Sequence, residues 1–503
     1  MQIQLQMALE RPFLAAVAGV IVLVAVYLMR LNQLMKSTPD EVKKVSPTRW
    51  TKKLLRETYK TIERSPITTK SYARRIPPRL DRRYIVTGGS GLVGGYIVLQ
   101  LLERGQPPES IRIVDFRPPN RKDMATGPAS AVEFAQADIS SSSSTSAAFA
   151  KSWPHSVAHL PLTVFHTAAV IVPSDRSKLT YGFCEAVNVR GTQHVVDAAR
   201  RAGADVLVST TSGSISLRPV GFWLAPWRIW SAASQPRDFW QVADEADFFA
   251  PPRQHHEHYA NYPAAKAAAE RIVCAANAPD LRTGCIRPAH GVYGNPSDNT
   301  VGGPLNMGVA PTWTSHIVQS FVHGINAAIA HLQLEAVLTP PESASAPQAG
   351  RPFTITDPNP PITYSDLYLL ISSLAVTPFR VILLQPVGML LLSYPVEWYI
   401  LLLVKVPRLR KVFPPLMGEV KHLQPALFSI CTHVIATAAA ASRRVEDGGI
   451  GYTGILTTLE GMVQEVVEWN HEHQIAAAAG GEVVYQSSVS LADEIQKATA
   501  GAS

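Results

Sequence analysis

The chain has 503 residues, a formal net charge of +7 and four cysteines. That length exceeds one ordinary domain and leaves room for added segments. Cys184, Cys274, Cys285 and Cys431 are scattered without metal-ligand spacing, which argues against a metal site or disulfide framework and suits a reducing compartment.

Residues 1–11 read as a short tail. Residues 12–29 are eighteen without a charge, enough to cross a bilayer at ~1.5 Å per helical residue. The run leaves through Tyr27-Leu28-Met29-Arg30 with no small-residue cleavage site, so an anchor is expected rather than a cleaved signal. From Arg30 to Arg83 sixteen Lys/Arg face five Asp/Glu, so the remainder of the chain is slightly acidic. Residues 30–81 are expected to form a basic linker that stays cytoplasmic and rests on anionic membrane lipid. Adjacency to a membrane span argues against nucleic acid as the partner of that basic stretch.

Next comes Tyr84-Ile85-Val86, a short strand, then the turn Thr87-Gly88-Gly89-Ser90-Gly91-Leu92-Val93-Gly94 and a helix over residues 96–102. Gly88 permits a tight turn, Gly91 lets the backbone approach a pyrophosphate, and Gly94 lets helix and strand pack closely. The helix start, with Leu92 and Val93, offers free N–H groups to the anion. Residues 111–115 form a second strand ending in Asp115, about twenty residues past the turn, where a carboxylate binds the adenosine ribose. Its charge repels a 2′-phosphate and favours NAD; Arg117 leaves NADP open. Residues 132–139 read as a third strand, with Asp138 and Ile139 flanking the adenine. Residues 162–169 read as a fourth, running into Ala168 and Ala169 beneath the cofactor. The serine run 140–146 is expected to be a loop and helix start.

Residues 206–212 form a buried strand ending in hydroxyl side chains. Further on, Asn261-Tyr262-Pro263-Ala264-Ala265-Lys266 places Tyr262 and Lys266 on one helix face. A lysine ammonium beside a phenol lowers its pKa from ~10, so that Tyr262 can accept the proton of an alcohol. Tyr259 is set aside, because its fourth neighbour is Pro263.

With these segments in view, the chain resembles an extended short-chain dehydrogenase/reductase of the 3β-hydroxysteroid dehydrogenase family, especially its decarboxylating sterol-4α-carboxylate 3-dehydrogenases. The resemblance runs over about residues 82–475 and rests on TGGSGLVGG, IRIVDFRP, VFHTAA, LVSTTSGSI, YPAAKAAAERIV, IRPAHGVYG and GRPFTITDPNPP. Late signals around Gln385-Pro386-Val387 and Tyr394-Pro395-Val396-Glu397-Trp398 resemble the steroid branch, and Gly451-Tyr452-Thr453-Gly454-Ile455 resembles its closing strand. The resemblance implies a Rossmann doubly wound parallel sheet at 82–290, a smaller substrate-binding region at 291–475 and a tail at 476–503. It implies Tyr262 as acid/base, Lys266 as its partner on the nicotinamide ribose, Ser212 on the substrate oxygen (Thr211 being the neighbouring alternative), and Pro288 at the nicotinamide end. The implied cofactor is NAD, with no metal. The implied substrate is a sterol or triterpenoid, oxidised at its 3β-hydroxyl and then decarboxylated at carbon 4. The expected setting is the endoplasmic reticulum membrane, single-pass with a cytosolic catalytic part, among other membrane-bound sterol-modifying enzymes; oligomeric state stays open.

The alternatives are a 3β-hydroxysteroid dehydrogenase with Δ5–Δ4 isomerase activity, a nucleotide-sugar epimerase and an inactive dinucleotide-binding membrane scaffold. Residues 219–240 are an insert relative to the family and carry Trp223, Trp227, Trp230 and Trp240. They are expected to be either a membrane-touching flap or a loop packed by its own aromatics. Residues 367–404 are apolar but broken by Pro386, Pro395 and Glu397, which argues for substrate-domain helices that dip into the interface rather than a regular span.

Overall fold

The computed structural model describes residues 2–231 and 234–481, together with Val483, Tyr485, Glu494 and Gln496. Most of the tail expected at 476–503 therefore lies outside the described residues. Within residues 82–288 five strands appear in order: β1 (Arg83–Thr87), β2 (Ile111–Asp115), β3 (Glu133–Gln136), β4 (Leu162–His166) and β5 (Ala204–Thr210). They are followed by β6 (Trp240–Ala243) and β7 (Arg282–Pro288). All but β6 join one parallel sheet, in the order Pro352–Ile355, β7, β5, β4, β1, β2, β3. Helices cover both faces, which is why β4 and β7 are buried at every position, the arginines of β7 included. The strand order reverses beside β1, between β4 and β2, and ligands of such sheets bind at that switch point.

Three boundaries differ from expectation. The strand Pro352–Ile355 pairs with β7, so the sheet continues past residue 290. It is fully buried and pairs with a strand far back in the chain, a partnership that no local pattern announces. The tail expected at 1–11 is helical from Gln2 and continuous with the anchor as one helix, Gln2–Leu34, in which Pro12 lies. Residues 30–81 are not a free linker. They fold into helices including Lys52–Arg64, whose Leu55 and Ile62 are buried against the C-terminal half while its basic residues face outward. An amphipathic stripe with seven-residue spacing inside a charge-rich segment is what docks it.

The closing strand expected near residues 451–455 is a loop. Gly451 and Gly454 take φ +69° and +64°, outside the extended region. Tyr452 still buries there and donates to the Thr356 carbonyl at 2.9 Å. The closing helix is present as Thr458–Ala478, with a capping box between Thr457 and Glu460.

The insert does not pack on its own tryptophans. Phe222, Ile229 and Phe239 are buried against Leu31, Val387 and Phe428, while Trp223, Trp227, Trp230 and Trp240 remain exposed. The strand that begins at its last residue, β6, pairs in parallel with His433–Ala436 in a second, four-stranded sheet. All four cysteines are free thiols, and Cys274 Sγ lies 3.8 Å from Cys285 Sγ.

Candidate active site

A cavity of about 1000 Å³ runs along the C-terminal edge of the sheet. It touches Gly88, Gly91, Leu92, Val93, Gly94, Asp115, Asp138, Ile139, Ala168 and Ala169 at one end, and Ser212, Tyr262, Lys266 and Pro288 at its centre. Every residue that the sequence assigned to the site thus borders one space.

The cofactor end is shaped by backbone. Gly88 takes φ +73°, and a Cβ there would lie 2.5 Å from the Ala168 nitrogen. A Cβ on Gly94 would lie 2.3 Å from the Gly88 carbonyl oxygen. No side chain fits at either point, so the turn stays low enough for a diphosphate to reach the start of the Leu92–Glu103 helix. Asp115 closes this end. Its carboxylate accepts from the Ser90 N–H at 3.0 Å and the Phe116 N–H at 2.7 Å, while burial pushes its pKa up. Asp138 accepts from the Ser140 N–H at 2.8 Å and its own N–H donates to Ser144 Oγ at 3.1 Å. The serine run is therefore what holds the third strand's exit, besides capping the helix Ser142–Ala150 through Ser141. These features fit NAD: a cradle that any Cβ would fill, a helix N-terminus and a buried ribose-facing carboxylate.

At the centre, the helix Asn261–Ala275 presents Tyr262 and Lys266 to the cavity. Lys266 Nζ donates to the Thr210 carbonyl at 2.8 Å, and burial lowers its pKa to about 8. Tyr262 differs from expectation: burial pushes its phenol up to about 12, opposed by a hydrogen bond from Ser212, and Lys266 contributes no lowering. In the protein alone the ammonium is turned to a strand-end carbonyl rather than the phenol. The two neighbouring hydroxyls differ in their partners. Thr211 Oγ1 donates to Glu270 Oε2 at 2.8 Å, inside the protein, whereas Ser212 Oγ sits 2.8 Å from Ser214 Oγ and is near enough to Tyr262 to favour its phenolate. Tyr259, set aside on spacing, lines the same wall, so the phenols of Tyr262 and Tyr259 share it with the hydrogen-bonded Ser212 and Ser214 hydroxyls.

Other residues at this cavity had no local signal. Arg121 stacks 4.3 Å over the Tyr96 ring and donates to the Leu92 carbonyl at 3.1 Å, placing a cation beside the phosphate turn. His290 borders the cavity and hydrogen-bonds no described residue, and burial lowers its pKa to about 4. The far end is walled by Pro311, Trp313, Leu367, Tyr368, Leu427 and Ile430, drawn from three separate segments. Most of these side chains are apolar, with Thr312 and Thr314 beside them, and the lining Arg117 and Arg121 lie at the cofactor end.

Asp115→Ala is expected to narrow the preference for NAD⁺ over NADP⁺, because a carboxylate close to a 2′-phosphate repels it. The ratio of kcat/KM for the two cofactors measures this, and equal use of both by the unaltered protein would contradict the assignment.

A solved UDP-glucose 4-epimerase from Stenotrophomonas maltophila with bound NAD shares the fold, at TM-score 0.51 and 14% identity over 78% of this chain and 99% of that one. Among curated proteins, 3 beta-hydroxysteroid dehydrogenase type 7 of Mus musculus is 29% identical over 42% of this chain and 50% of its own length. A 3beta-hydroxysteroid-dehydrogenase/decarboxylase of Arabidopsis thaliana (isoform 2) is 26% identical over 56% and 45%. The chain thus spans about half the length of the curated relatives it matches. The profile of the "Male sterility protein" family matches residues 156–311. That of the "3-beta hydroxysteroid dehydrogenase/isomerase family" matches residues 85–217 and 247–384, more than half of the chain, and passes over the stretch that holds the tryptophan insert. The chain belongs to the 3-beta hydroxysteroid dehydrogenase/isomerase family.

Proposed function

We propose that this protein oxidises the 3β-hydroxyl of a membrane-dissolved sterol or triterpenoid with NAD⁺, and that its preferred substrates carry a carboxylate on carbon 4. One observation carries the reading: Ser212, Tyr262 and Lys266 meet where a dinucleotide crevice opens into a wide apolar chamber.

Bound NAD⁺ would supply the hydride acceptor and a positive charge near the phenol. Tyr262 takes the hydroxyl proton as the hydride leaves carbon 3, and Ser212 holds the same oxygen. Lys266, four residues along the helix, faces the nicotinamide ribose and the phenol once it turns from Thr210. The product of a 4-carboxylated substrate is a β-keto acid. Its carbon–carboxylate bond breaks to release CO₂, the electron pair passes into an enolate at carbons 3 and 4, and a proton then adds at carbon 4. The chamber supports that order of events. A carboxylate at the far wall faces mainly apolar side chains, Arg117 and Arg121 being at the cofactor end, so its charge is poorly solvated. Moving that charge onto the oxygen beside Ser212 and Tyr262 relieves the penalty.

The name of the Arabidopsis relatives supports the decarboxylating version, and the Phe13–Leu34 apolar helix supports a membrane setting, which we place at the endoplasmic reticulum. The second reading is oxidation followed by double-bond isomerisation, favoured by the name of a mycobacterial relative that is 33% identical over 26% of this chain. Incubation of the purified protein with NAD⁺ and each substrate type decides between them. Release of CO₂ from a 3β-hydroxy-4-carboxylate is expected. A conjugated enone from a Δ5-3β-hydroxysteroid, with no CO₂ from the acid, would favour the second reading.

A further inference from the structure

The two long apolar helices differ in a way that assigns them different places. In Phe13–Leu34 6% of the apolar window is buried, as for a helix surrounded by lipid. In Pro386–Lys405 the figure is 28%, and the buried positions Val387, Leu390, Ser393 and Val396 fall on one stripe. The opposite face shows Leu391, Leu392 and Trp398 to the outside, the last 67% exposed. Glu397 accepts from Arg176 Nε at 2.6 Å and Nη2 at 2.8 Å, so this helix is tied to the catalytic domain. A helix with one packed face and one apolar bare face lies in a membrane surface rather than across it.

Its neighbours share that surface. The strand Arg380–Leu383 is exposed at every residue, Leu383 by 71%, yet it pairs with Val309–Thr312. Ile382 sits opposite Pro311 and Leu383 opposite Thr312, and both partners line the cavity. The bare apolar edge and the chamber wall are thus one two-stranded ribbon. On the other side, the anchor helix is fixed to the insert and to the start of Pro386–Lys405. Tyr27 donates to the Leu224 carbonyl at 2.7 Å, Arg30 to Ile229 at 3.3 Å and Asn32 to Gln385 Oε1 at 2.9 Å. The exposed Trp227 and Trp230 therefore lie beside the point where the anchor leaves the bilayer. Beyond the helix, Arg408, Arg410 and Lys411 precede the exposed Val412 and Phe413, the pairing of cations and apolar groups that suits anionic headgroups.

We propose that the ribbon, the Pro386–Lys405 helix and the tryptophan insert dock together on the bilayer leaflet from which the anchor emerges, and that this rim passes lipid-dissolved substrate into the chamber without a crossing through water. The occupant of the surface is lipid: the patch begins at the anchor, and tryptophans and basic residues border it as they border bilayers. The passage of substrate rests on the proposed function, but the docking does not.

Full-length protein carrying Cys in place of Trp227, Leu383 or Trp398, labelled with a polarity-sensitive dye, tests the docking in protein-free vesicles of phosphatidylcholine and phosphatidylserine. A Lys151→Cys protein, labelled beyond the β3 edge of the sheet, is the reference. All three rim sites are expected to shift emission to the blue and to be quenched by lipids spin-labelled in the acyl region, with the reference unchanged. Rim dyes that match the reference, or that shift only when another membrane protein is supplied, overturn the proposal. Leu383→Asp is then expected to raise KM several-fold for a steroid presented in vesicles while leaving KM for NAD⁺ and kcat unchanged. An unchanged steroid KM overturns the substrate route. Because the dye readout needs no substrate, a wrong substrate class cannot be mistaken for a failure of docking.

Discussion

Tyr262→Phe is expected to lower kcat by roughly 10²–10⁴-fold, the range that a positioned proton acceptor contributes. The ring stays, so packing and NAD⁺ binding should persist, as titration of the purified variant by fluorescence would show. Only the phenol oxygen, which borders the cavity with Ser212, is lost. The pH profile gives a separate readout. Burial holds the Tyr262 phenol up at about 12, so the proton-accepting form becomes commoner as pH rises. Alcohol oxidation by the unaltered enzyme should therefore accelerate with pH, and the residual rate of the variant should not share that rise. Turnover that survives the substitution would remove Tyr262 from the chemistry. Tyr259 would then be the residue to examine next, since its phenol lines the same wall as Ser212 and Ser214.

The parts of this site that could be read from sequence are those whose constraint is local. Gly88 and Gly94 are glycines because any Cβ collides with backbone within the same turn or the adjoining strand end, and that requirement leaves a fixed spacing. Tyr262 and Lys266 are legible because one helical turn brings them together. The chamber is different. Trp313, Tyr368, Leu427 and Ile430 meet only after the ribbon, the second sheet and the C-terminal helices have assembled, so none carries a mark of its neighbours. The same holds for β6, whose partner strand His433–Ala436 lies near the other end of the chain. Composition misled where charge hid a stripe: residues 30–81 look like a solvated linker, yet Leu55, Ile62 and Tyr72 bury. The expected lowering of the Tyr262 pKa by Lys266 failed for a related reason. Spacing places two groups on one face, but burial and the Thr210 carbonyl decide where the ammonium points.

The largest stability effect is expected beneath the site, at Glu270. One turn after Lys266 on the same helix, Glu270 is nearly sealed from solvent and accepts from Arg287 Nε at 2.8 Å and Nη2 at 2.5 Å. Its remaining lone pairs take the Thr211 hydroxyl, and Arg287 turns its other arm to Asp247 at 2.7 Å. The pair therefore ties the catalytic helix to β7 and to the strand end that carries Ser212. Glu270→Ala leaves a fully buried guanidinium with one carboxylate in place of two, and loss of a buried partner costs about 3–5 kcal/mol. A large fall in the denaturation midpoint of detergent-solubilised protein is expected, along with lower kcat, since Thr211 loses its acceptor next to Ser212. The paired substitution Glu270→Leu with Arg287→Met removes both buried charges, and Asp247, which keeps some solvent contact, is left to water. The double variant should therefore be more stable than the sum of its single changes implies. Strict additivity would mean that the two residues stabilise the fold independently, and that Glu270 does not position the catalytic helix through Arg287.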